Sequence, residues 1–227
     1  MESAFNTWMN YGRPMDYYNL KLEKTVSPYD RAHIVKVGFS WELPVGKGKR
    51  FGSALHPALD AVLGGWTLQF IGNWSSGEPL GFSGTATPNA NFATNRALIV
   101  NPNREPLGVP FDTQRFDMSL VSTPGTSAHR YVNTAIVRDP PRYVRGNASY
   151  RFSQIRGFAF YGEDFGLRKN FTVKERFRFQ IRGEWLNAFN RHRFTAIDTN
   201  PASPLFGQVV GVSDVPRQAQ VGIRLDF

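Results

Sequence analysis

The residues that could do chemistry are few, and their spacing suits catalysis poorly. The four histidines, His33, His56, His129 and His192, stand far apart. None has the paired spacing of a zinc site or of an HExxH helix. There is no cysteine, which excludes a disulfide framework, a thiolate metal site, an iron–sulfur cluster and a Cys nucleophile. The closest approach to a serine elbow, residues 81–84, reads GFSG, not GxSxG. Residues 44–52 (PVGKGKRFG) hint at a phosphate loop, but they match neither GxGxxG nor GxxxxGK[ST]; a basic connection between elements is the plainer reading. Asn73, Asn147 and Asn170 begin N-x-S/T triplets, read here as chance matches. The expectation is a protein that is not an enzyme and needs no cofactor.

Arginine is the stronger signal. Lys plus Arg is 27 against 18 Asp plus Glu, a net charge of +9. One group, Arg138, Arg142, Arg145 and Arg151, has only Asp139 nearby in the chain and suits phosphate groups or an acidic ligand. A second motif, residues 156–163 (RGFAFYGE), matches the first five positions of the RNA-binding pattern K/R-G-F/Y-G/A-F-V-x-F/Y. That reading needs helices on both sides of the strand and a second aromatic strand upstream. Pro-rich surroundings make those helices poor, so no nucleic-acid partner is expected. An RNA-binding protein stays as an alternative.

Elements must position these side chains, and the sequence supplies strands. Residues 176–185 (RFRFQIRGEW) put Phe177, Phe179, Ile181, Gly183 and Trp185 on one parity. Arg176, Arg178, Gln180, Arg182 and Glu184 take the other. Alternate side chains of a strand point to opposite faces, so this is an apolar wall backed by a charged one. Residues 31–43, 65–75, 164–173 and 218–227 repeat the pattern. Ile71 interrupts a polar face and Lys169 an apolar one.

Strands of about ten residues exceed the about five or six usual in soluble sheets and match the about 9–11 that cross a bilayer at a tilt. The connections alternate in length. Residues 172–175 form a tight turn; residues 190–216 form a long link rich in Pro, Asn and Ser. Residues 77–156 are too long for a plain loop and must contain structure of their own. Short turns at one end and long loops at the other is the layout of a transmembrane β-barrel. The link 43–64 is long for the short-turn end. The fold expected is all-β: an antiparallel transmembrane β-barrel segment with long outer loops, the longest about 77–156 and extracellular.

On that layout Trp41, Trp66, Phe171, Phe177 and Phe227 fall at one membrane boundary, and Trp74 and Trp185 at the other, as two aromatic girdles. Arg168, Arg176, Arg178, Arg182, Glu184 and Arg224 then face the lumen. They either attract an anionic solute or pair with Glu184, Asp164 and Asp226 for structural reasons. Aromatic residues are 14% of the chain, far above a disordered composition. No run of about 18 apolar residues encodes a transmembrane helix, and residues 1–10 do not read as a signal peptide. The rival fold is a soluble sandwich with one wet face, a β-rich binding module with the basic loop as its ligand site.

Four segments carry a family resemblance. They are SPYDRAHIVKVGFSWELPVGKGKRF (27–51), LGGWTLQFIGNWSSGEPL (63–80), FGLRKNFTVKERFRFQIRGEWLNAFNRHRF (165–194) and FGQVVGVSDVPRQAQVGIRLDF (206–227). Together, about half the chain resembles the C-terminal barrel of TonB-dependent outer-membrane receptors, of the Oar-like type that bears a carboxypeptidase regulatory domain. The resemblance implies an incomplete part of a 22-stranded barrel around a plug, in the bacterial outer membrane. It implies energised nutrient uptake with an unknown transported substrate. The implied partners are outer-membrane lipid, the barrel-assembly machinery, for which Phe227 would be the terminal signal, and the TonB system. TonB would act through a plug that is absent from this chain. Five strands cannot close such a barrel, so the chain is expected to be a piece of a longer receptor or a truncated reading frame.

Overall fold

The computed structural model describes residues 15–16, 18–84, 95–101, 103–173, 177–213 and 215–227. Strands are numbered in chain order. Five long strands are β1 (Ile34–Glu42), β2 (Trp66–Ser75), β9 (Phe160–Val173), β10 (Phe177–Leu186) and β13 (Gln218–Asp226). The short ones are β3 (Pro79–Leu80), β4 (Ser83–Gly84), β5 (Asn95–Arg96), β6 (Leu98–Ile99), β7 (Val137–Arg138), β8 (Phe152–Arg156), β11 (Arg193–Ile197) and β12 (Val209–Ser213). The chain divides into two compact units.

One unit, residues 33–75, 160–192 and 214–227, holds the five long strands in a single antiparallel sheet, ordered β1-β2-β9-β10-β13. All five segments read from the period-2 pattern are strands, and β9 starts four residues earlier than its alternation suggested, at Phe160. Cross-strand rows show why the register is fixed. Phe39, Phe70, Phe165, Trp185 and Ala219 form one row, and Val37, Gly72, Glu163 form part of the next. Shifting any strand by one residue would swap its apolar and polar sets. Phe39 and Phe70 lie 5.5 Å apart, Phe70 and Phe165 4.9 Å, and Phe171 stacks on Phe179 at 5.1 Å. Each such pair is worth about 0.5–1.5 kcal/mol beyond its area.

The rows also climb. Trp41, Leu68, Leu167, Gly183 and Val221 are mutual partners. Trp41 lies one residue from the end of β1, Leu68 two from the start of β2, and Leu167 six from the end of β9. Gly183 lies six from the start of β10 and Val221 five from the end of β13. The row thus stands closer to the end where β1 meets β2 on those two strands than on β9, β10 and β13. β1 and β13 are the two edges, and they run in the same direction. The sheet is open.

Call the end where β1 meets β2 the turn end, and the opposite one the loop end. The turn-end link 43–65 is long but ordered. It contains a helix, Pro57–Leu63, capped by His56 Nδ1 accepting from the Ala58 N–H at 3.3 Å. Gly65 (φ +70°) returns the chain to β2; a Cβ there would sit 2.3 Å from the Asn170 carbonyl oxygen. Across β9 and β10, Val173 pairs with Phe177; the rest of the expected 172–175 turn lies outside the described residues.

The other unit, residues 1–32, 76–159 and 193–213, has its own core. Phe82, Ala97, Leu107, Val132, Ile136, Val137, Ala148 and Ile155 are buried together. Four two-stranded ladders frame it: β3–β8, β4–β5, β6–β7 and β11–β12. Ion pairs stitch its early segment to later ones. Arg96 binds Glu23 at 2.7 Å, Arg156 binds Asp30 at 2.6 Å, and Arg145 binds Asp16. Thr25 Oγ1 donates to the Arg151 carbonyl and accepts from the Arg151 N–H, both at 2.8 Å.

Candidate functional site

The surface that most needs a function is the apolar face of the long sheet. It is continuous over five strands and is exposed on both edge strands. Val221 is 76% exposed and Ile223 74%, beside Leu225, Val35, Val37, Phe39 and Trp41, all exposed. A soluble sandwich would bury these side chains against a second sheet. Exposed apolar area on this scale marks a surface that meets something other than water.

Aromatic side chains sit near both ends of that face. Trp41, Trp66, Phe171 and Phe177 lie toward the turn end; Trp74 and Trp185 lie toward the loop end. The Trp66 indole N–H donates to the Val62 carbonyl at 2.9 Å, and that of Trp74 to Glu163 Oε1 at 2.8 Å. Trp74 folds back over Gly72 and Trp185 over Gly183; a Cβ on either glycine would meet the ring at 2.2 or 2.9 Å. Both are Gly-x-Trp triplets in which the ring covers bare backbone. Phe227 follows β13 and is 90% exposed.

Two charges stand on the apolar face, and each is satisfied. Lys169 at the turn end donates to the Gly64 carbonyl and lies 5.0 Å from the Trp66 ring. Glu163 at the loop end, which the alternation did not single out, is 3% exposed. Arg191 Nε donates to both its oxygens, at 3.1 and 2.9 Å. The Arg191 guanidinium in turn lies 5.3 Å from the Tyr161 ring and 5.6 Å from that of Phe189.

Asn187, also missed, holds this corner. Its φ is +48°, a conformation that Asn tolerates. Its side-chain amide donates to the carbonyls of Arg191 (3.2 Å) and Val215 (2.8 Å), and its Oδ1 accepts from the Arg191 N–H at 2.9 Å. Its backbone N–H donates to Asp164 Oδ1 at 2.9 Å. The only sequence signal was an Asn just beyond a strand, in the turn NAFN.

The opposite face is polar. Arg168 pairs across strands with Arg182, Gln180 with Arg224, and Arg178 with Asp226. Arg182 bonds Glu184 at 3.1 Å and Arg224 bonds Asp226 at 2.9 Å. Gln220 donates to Glu184 as well. Asp164 is engaged by Asn187. So the acids of this face are spent on local pairs, while the described ion pairs include none for Arg168. Arg176 lies outside the described residues.

In the other unit the basic residues are partly consumed. Arg145 holds Asp16, and the Arg151 guanidinium sits 4.8 Å from the Tyr150 ring. Backbone donation from Tyr18 and the Arg145 charge keep the Asp16 carboxyl below its ordinary range, against the effect of burial. The RGFAFYGE segment is structural here. Arg156 donates to Asp30 and to the Gly77 carbonyl. Phe158 packs against Tyr131 at 4.8 Å, Phe194 at 5.0 Å and Phe111 at 5.2 Å. Its flanks are strands, β8 and β9, and not the helices that an RNA-recognition sheet requires. Among the described residues no cluster of three or more His, Cys, Asp or Glu could hold a metal ion.

A family model described as an outer membrane beta barrel domain matches residues 1–220. No curated protein and no solved structure matches the chain.

Proposed function

The chain belongs to the outer membrane beta barrel domain family, and from that premise we propose that it supplies wall and outer loops to a TonB-dependent transporter. Its place is the bacterial outer membrane. The sheet is a partial barrel, because an antiparallel sheet open at β1 and β13 cannot rest in lipid with two rows of unpaired backbone groups. Further antiparallel strands complete it. Both edges run the same way, so a second copy in the same membrane orientation would add only a parallel neighbour at either edge.

The observation that carries the reading is the exposed apolar face of five long strands, backed by a polar one. In this role Val35, Val37, Phe39, Trp41, Phe70, Phe165, Val221, Ile223 and Leu225 meet acyl chains. Arg168, Arg178, Arg182, Glu184 and Arg224 face the lumen, and the loop end points outward. The Arg-rich polar face then lines either a solute path or the seat of a plug. The specific tie to TonB rests on the resemblance of the four segments to such receptors.

An antibody against residues 193–213 tests this on outer-membrane fractions of the native cell. The expected result is a heat-modifiable species well above the 25.6 kDa of this chain, with uptake that stops when the proton gradient is collapsed. A soluble product, or a membrane species unaffected by loss of that gradient, would overturn the transporter reading.

A further inference from the structure

The motif PVGKGKRFG and the link that carries it have no part in the wall described above. Residues 43–65 join β1 to β2 at the turn end, where a short turn would suffice. They fold instead into a fixed structure. The Gly46 N–H donates to the Phe51 carbonyl and the Phe51 N–H to the Pro44 carbonyl, both at 2.9 Å. The helix Pro57–Leu63 is held to this turn by Asp60, whose Oδ1 accepts from the Lys47 N–H at 2.5 Å. Gly46 (φ +126°) makes room for that carboxylate; a Cβ there would sit 2.8 Å from the same oxygen.

Asp60 is the one charged residue of the helix, and it is spent on that inward bond. The other six residues are apolar, yet no residue of the helix is buried. Leu59, Val62 and Leu63 share one stripe and are exposed, Val62 by 63%. A helix of seven residues has little stability in water unless such a stripe is packed. The stripe needs a cover.

Its position says which. Trp66 and Lys169 are cross-strand partners on the apolar face of the sheet. The Trp66 indole N–H donates to the Val62 carbonyl at 2.9 Å, and the Lys169 ammonium donates to the Gly64 carbonyl. The end of the helix therefore hangs from the apolar side of the sheet, not from its polar side. Cations stand beside it. Lys49 bonds Glu42 at 3.0 Å, while Lys47 and Arg50 are exposed and enter no described ion pair. The Arg50 guanidinium lies 5.5 Å from the ring of Phe51, itself exposed. An apolar stripe level with a boundary tryptophan and flanked by cations is complementary to a leaflet of anionic phospholipid.

We propose that residues 44–63 form a foot in the leaflet at the turn end. Leu59, Val62 and Leu63 enter its headgroup region, and Lys47 and Arg50 select phospholipids of net negative charge. The foot rests on the reading of the sheet as barrel wall and adds a contact made off the sheet, with a preference among headgroups.

The test uses the protein extracted from native outer membranes, carrying Val62→Cys with a fluorophore on that thiol; the parent protein gives the labelling background. It is reconstituted in phosphatidylcholine vesicles that contain phosphatidylglycerol or phosphatidylcholine brominated at a shallow acyl position, which quenches on contact. Phosphatidylglycerol is expected to quench at about fivefold lower mole fraction, the scale of one cation at an anionic surface. Lys47→Gln with Arg50→Gln keeps the backbone bond to Asp60 and should erase the preference while quenching persists. Leu59→Cys gives the same reading should Val62→Cys fail to assemble. Absence of quenching by either lipid would mean that water or another protein segment meets the stripe; equal quenching by both would mean that no headgroup is selected. Either result overturns the foot. A label at Val221→Cys on the sheet separates the two readings. If that label is quenched and the one at residue 62 is not, the wall stands and the foot falls; if neither is quenched, both fall.

Discussion

Glu163 and Asn187 are the residues on which the loop-end corner depends, and neither stood out in the sequence. Removing the Glu163 carboxylate leaves Arg191 without its anchor and the Trp74 indole N–H without an acceptor. Glu163→Ala should therefore cost about 1–3 kcal/mol, at the low end because Arg191 is half in solvent. Glu163→Gln should cost less, since the amide oxygen still accepts from Trp74. Denaturant unfolding of the chain in detergent reads both, and a neutral alanine variant would refute the role. Asn187→Gly keeps the left-handed backbone and loses three side-chain bonds, at about 1 kcal/mol for each bond that water does not replace. Asn187→Ala adds strain of about 1 kcal/mol to that loss, so the alanine variant should be the worse of the two. Asp16 predicts a pH effect. Its carboxyl is held below the ordinary value of 3.8, so its contribution is complete above that value and is lost as pH falls through the lower folded one. Hydrogen exchange in residues 15–32 should accelerate only in strong acid, and Asp16→Asn should remove that dependence.

At the scale of the element, the sheet makes a prediction that separates lipid from water. Val221 is 76% exposed and Gln220 is its neighbour on the opposite face. In a soluble sheet, Val221→Arg would be nearly neutral, as most exposed substitutions are. Against acyl chains it should cost about 2–4 kcal/mol, while Gln220→Arg stays near zero. Equal, small effects in micelles would mean that the face does not meet lipid. The alternation alone placed the five strands and assigned their faces, because a period of two needs no tertiary information. It placed the start of β9 late, because Glu163 and Tyr161 blur the alternation at the loop end. It marked Lys169 as an interruption; the structure shows the charge resting on the Gly64 carbonyl and the Trp66 ring, as a long side chain does at a boundary.

For the molecule as a whole, the two units follow different rules. The long sheet exposes its apolar side, while the other unit buries its own around Val132, Ala97 and Phe82. Both behaviours come from one chain, and only the first could be read along it. Strand length, face parity and the all-β class are local properties, fixed by alternation and by what a bilayer-crossing strand must look like. The Arg145–Asp16, Arg96–Glu23 and Arg156–Asp30 pairs join residues 73 to 129 positions apart, and no spacing rule connects such partners. The same limit hid Asp16 as the acid that pairs with Arg145 of the basic loop, and the packing that absorbs RGFAFYGE. Periodicity tells a residue which way to face; which residue it will meet there is decided only when distant strands and turns have packed.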